Sequence, residues 1–483
     1  MAIRSRESYI ESLRRQRPEH IFMDGEKVES VVDAPGFRKG INSIGIAYEV
    51  ASDPRYSDLT TLNSPLINER ISRWAHIMEN EQDAIARVRL MRGMGEHLVP
   101  CPYRCMTSPT LTAAWIISYD IDKKYNTNYH QRVVNMAKHV QRNDLVMGAS
   151  LVDPKGDRSL RPGKQSDPDM YLHIVARRDD GIVVRGAKAH DTAAPYTNML
   201  CVAPLSRALR EDEKDYAVGF FTPVDTEGIT FISRPAPDSI EPADMENTLC
   251  AKCGGHAHSY TIYNDVFIPW ERVFMAGEYE FVGPLMNIHA AFDLMDVCSC
   301  GVANTDLAIG AVALVADCNG IEQAAHIREY LTNMISNAEI PYSCALAAAV
   351  EGKKHESGAY LPDILPVEVG KVYAARKLGE NRYYMQEAAG GSARTMPLEK
   401  DFQNPETKRY LEKYLKGKEG MPAEHRIRAL RLIYDLTASG YAGWNHAMRI
   451  CEGGAPQALR LGTLAGYALE RSKARAKRAA GIE

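Results

Sequence analysis

The chain has 483 residues, of which 45% are hydrophobic and 25% charged, and its formal net charge is −4. That length and composition suit a globular protein of two or three domains, and the near-balanced charge gives no bulk electrostatic reason for a nucleic acid or an anionic membrane as partner. A small molecule is the expected ligand. The N-terminus, Met-Ala-Ile-Arg-Ser-Arg-Glu-Ser-Tyr, lacks the apolar stretch of a signal peptide, and no run is read as approaching the roughly 18–20 apolar residues of a bilayer span. A cytoplasmic location is expected.

Along the chain, residues 1–150 read as helical. Apolar residues recur at intervals of three and four in segments 67–78 and 113–119. One exception is Ile21-Phe-Met-Asp-Gly-Glu-Lys-Val28, where Asp-Gly between apolar residues predicts a hairpin because Gly tolerates positive φ. Over 151–281, short runs such as Met170-Tyr-Leu-His-Ile-Val175, Gly181-Ile-Val-Val-Arg185 and Tyr260-Thr-Ile-Tyr263 alternate with turn residues and predict a β domain. Helical patterns return over 282–483. Segment 306–316 is apolar enough to lie in a bundle or a subunit interface. The basic stretch 471–478 fits a solvated last helical turn.

Ten cysteines, in a reducing compartment, are poor disulfide candidates, so clustered ones point to metal. Cys101 and Cys105 are four apart, which on a helical turn places both sulfurs on one face, although Pro100 and Pro102 loosen that argument. Buried thiols as plain core residues are the competing reading. Cys298 and Cys300 follow His289, Asp293 and Asp296 within three turns, and these are the ligand types that would complete a set with the first pair. A third group, Cys250-Ala-Lys-Cys-Gly-Gly-His-Ala-His258, has zinc-like spacing in its thiols but not in its histidines. Reduced thiols and histidines at the edge of an active site are its other reading.

Asp153-Pro-Lys-Gly-Asp-Arg158 and Gly186-Ala-Lys-Ala-His-Asp-Thr192 flank the first β runs and carry cations, a hydroxyl and backbone donors suited to a flavin ring edge and pyrophosphate; two polar turns are the alternative. No Gly-x-Gly-x-x-Gly, Walker loop or Gly-x-Ser-x-Gly elbow is present.

Together with Tyr9-Ile-Glu-Ser-Leu13, Tyr119-Asp-Ile-Asp-Lys-Lys-Tyr125, Asp265-Val-Phe-Ile-Pro269 and Gly453-Gly-Ala-Pro-Gln457, these motifs make the chain resemble the family of 4-hydroxybutyryl-CoA dehydratase and the 4-hydroxyphenylacetate 3-monooxygenases over nearly its whole length. The resemblance implies an α+β, acyl-CoA-dehydrogenase-like fold: a helical N-terminal domain, a central β-barrel-like domain and a C-terminal helical bundle, assembled as a homotetramer. It implies FAD, with Asp153, Lys155, Asp157, Arg158, His190, Thr192, Gly454, Ala455 and Gln457 as its binding residues. The monooxygenase branch carries an Arg, a Tyr and a His where this chain has Cys101, Cys105 and Ala149. The dehydratase branch carries cysteine ligands of a [4Fe-4S] cluster at the first two, with a third at Cys300. Its fourth ligand, a His, falls on Asp293, so Asp293, His289 or Cys298 completes the set, or one iron stays open to substrate. Its active-site Glu falls on His258 and its Tyr on Val297. The implied activity is dehydration of a 4-hydroxybutyryl-CoA-like thioester or a related hydroxylated substrate, with vinylacetyl-CoA-type isomerisation and with His258, Asp293 and His289 as acid/base candidates. A reduced-flavin-dependent phenol monooxygenase and a zinc-stabilised scaffold are the alternatives.

Overall fold

Asp24 and Gly25 both take positive φ, 52° and 84°, as a two-residue turn between twisted strands requires. They close the predicted hairpin, His20–Met23 against Glu26–Lys27. The hairpin then leaves the helices around it. His20–Met23 pairs in parallel with Ile229–Arg234 and so joins a six-stranded sheet that runs on through His258–Pro269 and Gly181–Thr192 to His173–Arg177. A second sheet of four strands holds Met147–Ser150, Met199–Val202, Val218–Pro223 and Val273–Ala276. The computed structural model describes residues 3–16, 20–204, 208–238 and 244–482. Within them both sheets are open, with two free ends each, so the barrel-like detail of the expectation is not seen.

One local expectation and one alternative reading are overturned. Residues 67–78 are not helical. Arg70–Ser72 pairs with Thr61–Asn63, a 3₁₀ turn follows at Arg73–Ala75, and Asn68 has φ 55°. The same apolar side chains are buried, Ile71 and Trp74 fully, but they reach the core from a hairpin and a turn, which mimic helical spacing. Residues 186–192 are likewise no turn. They continue the strand Gly181–Thr192 against His258–Pro269. Gly186, at φ 128°, makes this continuation sterically feasible, because a Cβ there would lie 2.5 Å from the Tyr171 carbonyl oxygen.

Segment 113–119 lies as predicted in the helix Thr107–Tyr125. After the sheets, Val282–Asn319 forms one helix of 38 residues, and Cys298 and Cys300 sit within it rather than ahead of it. By length and composition the stretch Tyr279–Asn319 could cross a membrane, which corrects the expectation that no run approaches that size. Here it packs against Glu81–Gly93, Ala325–Val350 and Ile364–Ala389. His289, Asp293, Asp296 and Cys300, spaced four, three and four, share one of its faces.

A buried ion pair anchors the turn between Cys101 and Cys105. Arg104 and Asp144 are in hydrogen-bond contact, both essentially without solvent exposure, and the guanidinium lies 3.8 Å from the centre of the Tyr48 ring. Removing one partner strands the other charge in a dry site. Arg104→Leu is therefore expected to cost about 3–5 kcal/mol, read as a lower denaturation midpoint.

Candidate active site

Two chain segments bring thiols together in the helical core. The first is the loop 98–107, where Tyr103 adopts φ 56° and leads into a 3₁₀ turn, Arg104–Met106. This bend, not a regular helix, brings the sulfurs of Cys101 and Cys105 to 3.3 Å. The second is the long helix with Cys300. Arg449 donates from Nη1 to Cys300 Sγ at 3.2 Å and from Nη2 to the Pro100 carbonyl at 3.2 Å, so one guanidinium joins loop to helix. Asn304 donates to the same Pro100 carbonyl at 3.0 Å. On the opposite side, Arg87 grips Asp296 through two hydrogen bonds of 2.9 and 2.6 Å and donates to the Cys105 carbonyl at 2.7 Å.

The electrostatics separate the three thiols. A hydrogen bond from Cys105 holds the Cys101 thiol below its usual range, helped against burial by the Tyr103 N–H and by Arg449. That same bond, together with burial, pushes Cys105 up. Burial pushes Cys300 up to about 12, while the Arg449 charge opposes it. Cys300 also raises Cys105, and Cys101 raises Cys300, so the three form one electrostatic group. In donor type the set suits an iron–sulfur cluster: three thiols in a largely apolar surrounding beside a permanent cation. The 3.3 Å contact is that of one thiol donating to its neighbour.

The candidates for a fourth ligand behave differently. Asp293 is half-buried, and burial, then Asp296 and Glu452, push its carboxyl up to about 7. His289 is buried and pushed down to about 4 by desolvation, with no hydrogen bond to any described residue. Cys298 turns away and donates to the Val367 carbonyl at 3.5 Å, so it is not a ligand in this arrangement.

A second group forms where two strands pair. Thr192 lies opposite His258. Trp444 donates its indole N–H to His258 Nε2 at 2.9 Å, so the ring's proton is on Nδ1 and faces Thr192 Oγ1 at 3.0 Å. Burial, with His190 and Arg234 adding, pushes His258 down to about 4 and keeps it neutral. His190 is exposed, and burial of its ring followed by the Lys155 charge holds it below the usual histidine range. Asp153 is paired inward with Lys188 at 2.6 Å, Asp157 folds onto Ser159, and Arg158 is exposed. Gly454, Ala455 and Gln457 are exposed at the start of the helix Pro456–Gly466.

The zinc reading of residues 250–258 fails on partners. Both nitrogens of His256 face protein oxygens, the Tyr196 hydroxyl and the Cys101 carbonyl, and both of His258 are engaged as above. Cys253 donates to the Leu249 carbonyl, and burial pushes both thiols up. Among the described residues no three His, Cys, Asp or Glu side chains gather on a single ion. Arg449, Glu452, Arg87, Lys371 and Trp444 were not foreseen. No local signal marks them, because each acts on a residue distant in sequence.

Two family models cover the chain: 4-hydroxyphenylacetate 3-hydroxylase N terminal over residues 5–275 and the corresponding C terminal over 282–481. A 4-hydroxybutyryl-CoA dehydratase/vinylacetyl-CoA Δ-isomerase of Clostridium aminobutyricum is 35% identical over 99% of both chains. The 4-hydroxyphenylacetate 3-monooxygenase oxygenase component of Thermus thermophilus is 27% identical, over 90% of this chain and 88% of its own. An oxygen-tolerant archaeal 4-hydroxybutyryl-CoA dehydratase from N. maritimus superposes with a TM-score of 0.94 at 34% identity, covering 100% of this chain and 95% of that one. A 4-hydroxyphenylacetate 3-monooxygenase oxygenase component complexed with FAD does so with 0.85 at 25%, covering 98% of both. Sequence and fold agree that this chain belongs to the 4-hydroxyphenylacetate 3-hydroxylase family, within which it is similar to a 4-hydroxybutyryl-CoA dehydratase over its whole length.

Proposed function

We propose that this enzyme is an FAD- and [4Fe-4S]-dependent hydro-lyase that removes water from a 4-hydroxybutyryl-CoA-like hydroxyacyl thioester, with vinylacetyl-CoA-type isomerisation as a companion activity. One observation carries the reading: Cys101 and Cys105, which stand where the resemblance puts the phenol-binding Arg and Tyr of the monooxygenase branch, touch each other, and Arg449 ties the loop that carries them to Cys300. The likeness to a dehydratase at 35% identity supports it.

Cys101, Cys105 and Cys300 would hold the cluster, with Asp293 or His289 as the fourth ligand. Lys155, Asp157, Arg158, His190 and Thr192, together with Gly454, Ala455 and Gln457, would hold the flavin, with Asp153 bracing the first turn through Lys188. When bound, the two groups would supply a Lewis acid for the departing hydroxyl and an electron carrier that makes an otherwise unacidic C–H removable. The remaining work falls to the chain. His258 Nε2 is a neutral, dry lone pair able to take a proton once substrate displaces the Trp444 indole. Asp293, if not bound to iron, holds a proton near neutral pH that it can give to a departing oxygen. The homotetramer is part of the same proposal, and exposed Leu461, Leu464, Tyr467 and Leu469, on the last two helices and the turn between them, give it an apolar face for subunit contact.

Anaerobically purified protein is expected to contain iron and acid-labile sulfide with broad visible absorption, and Cys300→Ser to lose most of both; iron-free wild-type protein would overturn the proposal. His258→Ala that retains flavin and iron is expected to lose about 10²–10⁴ in turnover, and undiminished turnover would remove His258 from the mechanism. Since protonation disables this base, the acid limb of kcat/KM is expected near pH 4, below the ordinary histidine range. Trp444→Phe removes a donor that favours the neutral ring, so it should move that limb upward by about half to one pH unit.

A further inference from the structure

A narrow cleft runs into the C-terminal helices beside the thiol group. Its walls come from Val282–Asn319, Ala325–Val350 and Ile364–Ala389, with Arg449 and Glu452 among its lining residues. Its free volume is ≈ 50 Å³, too small for an acyl chain or a flavin but enough for a file of about four waters.

The interior of a helical bundle is ordinarily apolar, yet polar side chains line this cleft or stand beside its wall, and they are more deeply buried the farther they lie from solvent. Near its mouth Lys377 and Glu380, each about one-third exposed, pair at 2.6 Å. Further in, Asn337 donates to Asn381 at 2.8 Å and to Glu380 at 3.4 Å, and accepts from the Tyr373 hydroxyl at 3.0 Å. Pro341, in the same wall, has no N–H for the carbonyl of Asn337, which needs another donor. Deeper still, Lys371 lies 3.7 Å from Glu452, and Glu452 accepts from Arg449 at 2.9 Å. Arg449 is 6% exposed, touches Cys300, and its Nε has no partner among the described residues. After Asp296, Glu452 and Lys371 are also groups whose charges act on Asp293.

We propose that this cleft is a water passage between solvent and the Cys300–Asp293 side of the active site, separate from the route taken by the thioester. It supplies the buried Arg449 Nε, which has no partner among the described residues, with one. Its use in turnover rests on the hydro-lyase reading, since a dehydratase must discharge one water per cycle. The passage itself does not.

Ala374 lies in the wall and has a small side chain, so Ala374→Leu narrows the cleft while every thiol, Lys371 and Glu452 keep their identity. A crystal structure of the full wild-type chain is expected to show ordered waters between Glu380 and Arg449, and a dry cleft would overturn the proposal. Cys298, a wall thiol, should react with methylmercury about tenfold more slowly in Ala374→Leu than in the wild type, provided that both keep the same thermal midpoint; equal rates would overturn the passage. In loaded enzyme the variant should lower kcat with KM for the thioester unchanged, and an unchanged kcat would overturn the passage's part in turnover. If waters and labelling behave as expected while the wild type dehydrates no hydroxyacyl thioester, the passage stands and the hydro-lyase reading falls.

Discussion

The helical core depends on guanidinium groups drawn out of bulk solvent. Arg449 spans from the last helix before the Gly453-Gly454 turn to Cys300 and to the loop at Pro100. Arg87 performs the matching task from Asp296 to Cys105, and Arg104 from Asp144 to the face of Tyr48. A buried guanidinium is costly unless carboxylates, carbonyls or thiols surround it. The geometry of its fork then fixes those partners in direction as well as distance. The loop carrying Cys101 and Cys105 is held at three such points, which is how an irregular segment can present two sulfurs in a defined arrangement without a regular helix beneath them.

The site divides into a sulfur-rich half among the helices and an imidazole half at the sheet, and His256 stands between them. Its ring accepts or donates at the Tyr196 hydroxyl on one nitrogen and meets the Cys101 carbonyl at 3.2 Å on the other. His258, two residues on in the chain, faces Thr192 and Trp444. A stretch of three residues therefore couples the placement of the cysteine loop to that of the neutral base. Both rings are kept uncharged by burial, so neither competes with Arg449 for the negative charge that the thiols would carry.

Much of the fold was legible because its signals are local. The Asp-Gly turn demands positive φ at two successive residues, and the β runs of 151–281 are punctuated by turn residues. The errors are equally physical. In 67–78 the apolar spacing records which side chains are buried, and a hairpin followed by a 3₁₀ turn buries the same ones. In 186–192 polar residues suggested a turn, but a strand with one solvent-facing side carries them as well, and His190 is the exposed one. At the site, the three thiols could be identified from sequence through family likeness. Arg449 and Glu452 could not be, since only the folded chain brings the end of Gly440–Cys451 against position 300.

The N-terminal hairpin ties the first residues of the chain to strand Ile229–Arg234, a parallel pairing that spans more than two hundred residues. Contacts of such long range are slow to form, because the intervening loop must be closed before the ladder repays it. During synthesis His20–Met23 emerges long before its partner exists. Until then Ile21 and Phe22 have a partner on one edge only, the short charged strand Glu26–Lys27, and the edge that Ile229–Arg234 will take stays open. The completed sheet keeps the charged strand at its rim, the kind of edge that discourages pairing with another chain. The same two residues thus cover one side of the nascent hairpin and finish the mature sheet.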